Sequence, residues 1–160
     1  MTKVIPNPKQ FLLGFFITFM GLLIYITFRP PWQAVWITKF VSFDLLNFLF
    51  LTKIGNNLPS FLHVIGFSLL TSGLVAQKKR NYAIVCGSWL FINILFEFLQ
   101  ADLICKLLND ISYHHNIINP LLQWLKNYSL HTVFDPLDII AILTGGITAY
   151  FILIKTKPEN

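Results

Sequence analysis

The sequence predicts an all-α membrane protein, a bundle of four transmembrane helices, and three observations carry that expectation. The chain of 160 residues is 55% hydrophobic and only 12% charged, about half the charged share of a soluble domain. Its 16 Phe, 4 Trp and 5 Tyr are more ring surface than so small a domain can bury, since about 150 residues hide only about 70% of their unfolded surface. The excess faces lipid. Finally, apolar blocks close to the roughly 20 residues that span the hydrocarbon recur four times between charged punctuation. The net charge of +5 would suggest nucleic acid in a soluble chain, but Lys and Arg sit between the blocks instead of along a stripe. They orient the chain in a membrane, and no nucleic-acid partner is expected.

The first block, Phe11 to Phe28, holds no charge and stops at Arg29 and the helix-breaking Pro30-Pro31. No small-residue cleavage site follows it, so it reads as an uncleaved anchor. The second, Leu58 to Gln77, contains one ionisable residue, His63, and ends at Lys78-Lys79-Arg80. The third runs from Asn81 to Gln100 with Glu97 near its end, and the fourth from Phe134 to Ile154 with Asp135 and Asp138 in its first turns. Between the first and second blocks, Trp32 to Lys53 mixes rings and leucines with Gln33, Lys39, Ser42, Asp44 and Asn47. That suits an extracytoplasmic helix lying at the interface. Between the third and fourth, Ala101 to Val133 reads as a helical outer loop. Residues 1–160 form one domain without repeats or low-complexity tracts.

Short cytoplasmic loops are enriched in Lys and Arg. With the N-terminus inside, the short inner segments hold Lys3, Lys9, Lys78, Lys79, Arg80, Lys155 and Lys157, seven of the twelve basic residues. Both termini are therefore expected in the cytoplasm of a multi-pass protein of the cell inner membrane. Cys86 falls deep in the third span and Cys105 in the outer loop, too far apart for a disulfide.

That orientation gathers the polar residues at one depth. Ser60 and His63 lie in the first outer turns of the second span; Asn93, Glu97 and Gln100 at the outer end of the third; Asp135 and Asp138 at the outer end of the fourth. The spacings i, i+4, i+7 and i, i+3 put each set on one helix face. Below them the faces turn small, with Gly66 and Gly73, with Ala141, Gly145 and Ala149, and with Gly14, Thr18 and Gly21 on the first helix. Small residues let membrane helices approach closely. The expected product is a polar cup opening outward, since ionisable groups inside a span are costly and mark function. Plainer readings stand beside this one. Asp135 is most simply a helix cap, while His63 alone would be an interior hydrogen-bonded residue. His114, His115 and His131 belong to a wet loop, and Trp32, Trp36 and Trp124 to interface anchoring.

Three elements resemble those of the VanZ-like membrane proteins. They are Leu58-Pro59-Ser60-Phe61-Leu62-His63-Val64-Ile65-Gly66-Phe67, the E-x-x-Q of Glu97 and Gln100, and the D-x-x-D-x-x-A of Asp135, Asp138 and Ala141 followed by Gly145. They occur in the family order over residues 58 to 150. Pro59-Ser60 stands where many members have Asp-Lys, and Ile142 where they have Asn. The resemblance implies a small bacterial inner-membrane protein of the cell envelope. In some members it is linked to antibiotic resistance, as reduced sensitivity to glycopeptides such as teicoplanin, and it implies no enzymatic mechanism.

Three classes of function follow. The leading one is a non-enzymatic membrane protein whose outer-leaflet cup of Ser60, His63, Asn93, Glu97, Gln100, Asp135 and Asp138 recognises a membrane lipid, a lipid-linked precursor or another envelope group. A net acidic cup suits cationic or hydroxyl-rich groups better than a bare phosphate. The second is an accessory subunit of a larger membrane complex. The third is a metal-dependent membrane hydrolase, because one His with two or three carboxylates can hold a divalent ion. With no H-E-x-x-H or comparable signature, no metal or other cofactor is expected.

Overall fold

A computed structural model describes residues 6–28, 49–75, 78–101, 104, 106 and 134–157. Four of its helices are long and apolar enough to cross a membrane, which fits a multi-pass membrane protein. They are α1 (Pro8–Phe28), α2 (Leu49–Val75), α3 (Lys79–Phe98) and α4 (Pro136–Lys155). Proline opens α1 and α4, where its missing N–H costs no helical bond.

The second candidate span, Asn56–Val75, lies close to the expected Leu58 to Gln77, but the helix that carries it, α2, begins earlier, at Leu49. Residues 49–53, expected to lie at the interface, are therefore part of this helix. Asn56, Asn57 and Pro59 look like a boundary, but an internal proline removes one backbone bond, and membrane helices tolerate that where neighbours compensate. At about 1.5 Å per residue the 27 residues of α2 run about 40 Å, longer than the roughly 30 Å hydrocarbon core. Residues 32–48, and all of 101–133 except 101, 104 and 106, lie outside the described residues. The expected interfacial helix and helical outer loop fall there for the most part. At the other boundaries α3 stops at Phe98, so Gln100 sits in the turn that follows. That turn is held by Gln100 N–H to the Glu97 carbonyl (3.1 Å) and Ala101 N–H to the Phe98 carbonyl (3.0 Å).

Helix α2 is central. It packs against α1, α3 and α4, and α3 and α4 also pack together, while α1 lies chiefly along α2. Glycine makes the closest approaches. A Cβ on Gly14 would stand 2.6 Å from the Leu70 nitrogen and 2.8 Å from the Gly66 carbonyl, so α1 and α2 touch backbone to backbone. A Cβ on Gly145 would stand 2.7 Å from the Phe61 carbonyl, which does the same for α4 and α2. With lipid as apolar as Leu, such close packing is what drives membrane helices together. The core collects Ile65, Leu69, Tyr82, Cys86, Ala149 and Leu153. Phe15, Phe16, Phe91, Ile147 and Phe151 remain more than half exposed, as the ring excess in the sequence requires of a lipid-facing surface.

Polar bonds close the end of the bundle that carries the chain termini, here the terminal end. The Asn7 N–H donates to the Gly73 carbonyl (2.7 Å), and Asn7 Nδ2 to the Thr156 carbonyl (3.1 Å). Gln10 is fully buried. Its Nε2 lies 3.3 Å from the Tyr82 hydroxyl, 3.2 Å from the Leu153 carbonyl and 3.1 Å from Thr156 Oγ1. One amide thus ties α1 to α3 and α4. The exposed Lys9, Lys78, Lys79, Arg80, Lys155 and Lys157 belong to this end.

Candidate functional site

At the opposite, distal end the helices part around a partly enclosed cavity of about 290 Å³. Six of the seven residues singled out in the sequence line it: Ser60 and His63 from α2, Asn93 and Glu97 from α3, Gln100 from the turn after α3, and Asp138 from α4. Tyr25 of α1, Phe96 and Ile142 complete most of the wall. Their faces follow from helix geometry, because Asn93, Glu97 and Gln100 share a stripe and α2 offers Ser60 and His63 one turn apart. Asp135 is not on the cavity wall. It is the N-cap of α4, with Oδ1 accepting from Leu137 N–H at 2.9 Å, which satisfies one of the four orphan donors of a helix start.

Asp135 is nevertheless the hub of the site. Its backbone N–H donates to Glu97 Oε1 (2.8 Å). Its Oδ2 and Asp138 Oδ1 both accept from Asn57 Nδ2, at 3.1 and 3.2 Å. Gln100 Nε2 donates to Glu97 Oε2 (3.1 Å) and to the Phe96 carbonyl (3.2 Å). Glu97 and Asp138 are each only 5% exposed, and burying a carboxylate is costly unless donors surround it. Here amide N–H groups, from backbone and side chains, supply those donors and connect α2, α3 and α4. Glu97 thus takes donors from the Gln100 side chain and from the Asp135 backbone.

Below the cavity the helices are stitched by rings. His63 lies against Phe67 with centroids 5.8 Å apart, and Phe67 stacks on Trp89 at 4.8 Å. Trp89 Nε1 donates to Thr71 Oγ1 at 3.0 Å, and its carbonyl accepts from Asn93 Nδ2 at 2.8 Å. Several polar atoms on the wall are left without a hydrogen bond to the described residues: the second Asp138 oxygen, the Asn93 amide oxygen, the Ser60 hydroxyl and the His63 ring nitrogens. No Lys or Arg lines the cavity among the described residues. Nor, among them, do three His, Cys, Asp or Glu side chains come together as a metal shell requires.

Two contributors escaped the sequence reading. Asn57 bridges both aspartates, and Tyr25 brings α1 to the wall. Asn57 lies three residues before Ser60, a signal that only a longer α2 makes visible. His114, His115 and His131 lie outside the described residues. No protein-family model, no curated protein and no solved structure matches this chain.

Proposed function

We propose that this chain is a non-enzymatic, multi-pass protein of the bacterial inner membrane, of the VanZ-like type, whose distal cavity recognises a lipid-linked or cell-envelope group. The observation that carries the reading is the chemistry of the cavity wall. Asp138, Asn93, Ser60 and His63 offer more acceptors than donors. A wall of that kind selects a ligand that presents N–H or O–H groups, hydroxyl-rich or cationic, over a bare phosphate. The exposed basic residues of the terminal end favour the cytoplasmic side, which turns the cavity to the outer leaflet. There it meets cell-wall precursors and the glycopeptides that act on them, so altered teicoplanin sensitivity is the phenotype that follows. The three resembling elements supply His63, Glu97, Gln100 and Asp138 to this one wall.

Lipid analysis of protein extracted in mild detergent tests the reading. Wild-type protein should carry one lipid or envelope group well above its share of the membrane, and Asp138→Asn should lose it. Identical lipid profiles for wild type, variant and bulk membrane would refute it. A second reading is an accessory subunit of a larger membrane complex, in which the exposed rings of Phe15, Phe16 and Phe91 on α1 and α3 meet partner helices in place of lipid. Stoichiometric partner chains in the same extract would select it.

A further inference from the structure

A second concavity lies on the other side of the α2–α4 seam. It is an open groove of about 450 Å³ walled by Leu58, Phe61, Leu137, Ile140 and Ala141, with Asn57 at its polar edge. Its wall residues alternate in sequence with those of the cavity: Leu58 precedes Pro59, Leu137 precedes Asp138, and Ala141 precedes Ile142. Groove and cavity are therefore two faces of one helix pair. Deeper in the membrane that seam is shut by the contact of Gly145 with the Phe61 backbone. At its distal end it is crossed by the Asn57 amide, which lines the groove while donating to Asp135 and Asp138. An amphiphile lying in the groove brings its head to the Asn57 amide, which stands between the apolar wall and Asp135 and Asp138.

Resting on the recognition reading above, we propose that the ligand is a phospholipid whose headgroup ends in a primary ammonium, its acyl chain in the α2–α4 groove and its head passing over the Asn57 amide so that the ammonium reaches Asp138 on the cavity side. Charge selects this head. Asp135, Asp138 and Glu97 surround the junction, and neither wall presents a Lys or Arg among the described residues. An ammonium has three N–H donors and no acceptor. It matches the remaining Asp138 oxygen, the Asn93 amide oxygen and the Ser60 hydroxyl, and it offsets the cost of a carboxylate inside a span. A trimethylammonium head carries the same charges with no N–H to give, and a head whose phosphate has no ammonium beside it meets like charge uncompensated.

Native mass spectrometry of the purified full chain, offered equal amounts of dioleoyl phosphatidylethanolamine, phosphatidylcholine, phosphatidylglycerol and a dioleoyl glucosyl lipid, decides the matter. Phosphatidylethanolamine should be retained at least tenfold over the choline and glycerol lipids. Asp138→Asn should abolish the preference, and Ala141→Phe, which fills the groove, should lower retention about tenfold. Gly87→Ala, at a position with nothing within 4 Å of an added Cβ, should change nothing. Should Asp138→Asn fail to fold, Asn93→Leu takes its place and should cut the preference too. Equal retention of phosphatidylcholine, or an unaffected Ala141→Phe, overturns the proposal. Preference for the glucosyl lipid, lost in Asp138→Asn, overturns it while leaving the recognition reading intact. Absence of any headgroup preference overturns both.

Discussion

The two ends of the bundle use similar residues to opposite effect. At the terminal end the Asn7 and Gln10 amide nitrogens meet the Tyr82 hydroxyl, Thr156 and backbone carbonyls, and the helices converge on them, leaving no room beside the buried Gln10 Oε1, which has no partner among the described residues. At the distal end Asn57, Gln100 and the Asp135 backbone satisfy part of the carboxylate capacity. Asp138 keeps a second oxygen on the wall of a cavity of about 290 Å³. The difference teaches that polarity within a span does not by itself mark a site. What marks one is polar capacity the fold leaves unused around a space large enough to hold something. The terminal end is a clasp, and the distal end is a receptacle.

The largest effect should come from breaking what both ends share. Gly145→Leu drives a side chain into the Phe61 backbone, and overpacking of that kind costs up to about 3 kcal/mol or more. Unfolding in detergent should show a large loss of stability together with loss of ligand retention. Gln10→Ala should separate the ends. It deletes the amide that joins α1 to Tyr82 and Thr156, at a cost of about 1–2 kcal/mol on the scale of hydrogen bonds between membrane helices, while the lipid carried at the distal end stays the same. Asn57→Leu should do the converse at the ligand, weakening retention several-fold, and because Asp138 stays buried while Asp135 and Asp138 lose their shared donor it should also cost about 1–3 kcal/mol of stability. Smallest of all, Gly87→Ala on the open face of α3 should raise stability by a few tenths to about 1 kcal/mol through helix propensity. Destabilisation there would mean that this face is covered.

Much of this contrast was legible in the sequence, and the rest was hidden for identifiable reasons. Apolar runs nearly free of charge marked the four spans, and antiparallel threading put His63, Glu97 and Asp138 at one depth, because period and length are properties of the chain alone. The small faces of Gly14, Gly66 and Gly145 were readable for the same reason. The length of α2 was not, since Asn56, Asn57 and Pro59 imitate a helix start, and that misreading concealed Asn57. Gln10 sits among residues that also suit a leader before an apolar run, and a single amide has no period to betray it. Only the fold reveals that Tyr82 and Thr156 come to meet it. Tyr25 joined the wall through the crossing of α1 over α2, which no spacing within one helix encodes.

Under the proposed function the distal end opens to the outside and the terminal end is closed. Two matched substitutions on α2, Ser60→Cys at the cavity wall and Ser72→Cys in the buried core beside the clasp, test it in a background with Cys86 and Cys105 replaced by Ser. In intact cells a membrane-impermeant thiol reagent should label Ser60→Cys rapidly and leave Ser72→Cys unmodified. Labelling of Ser72→Cys at the same rate, or a Ser60→Cys that reacts only after the membrane is opened, would contradict that arrangement of the two ends.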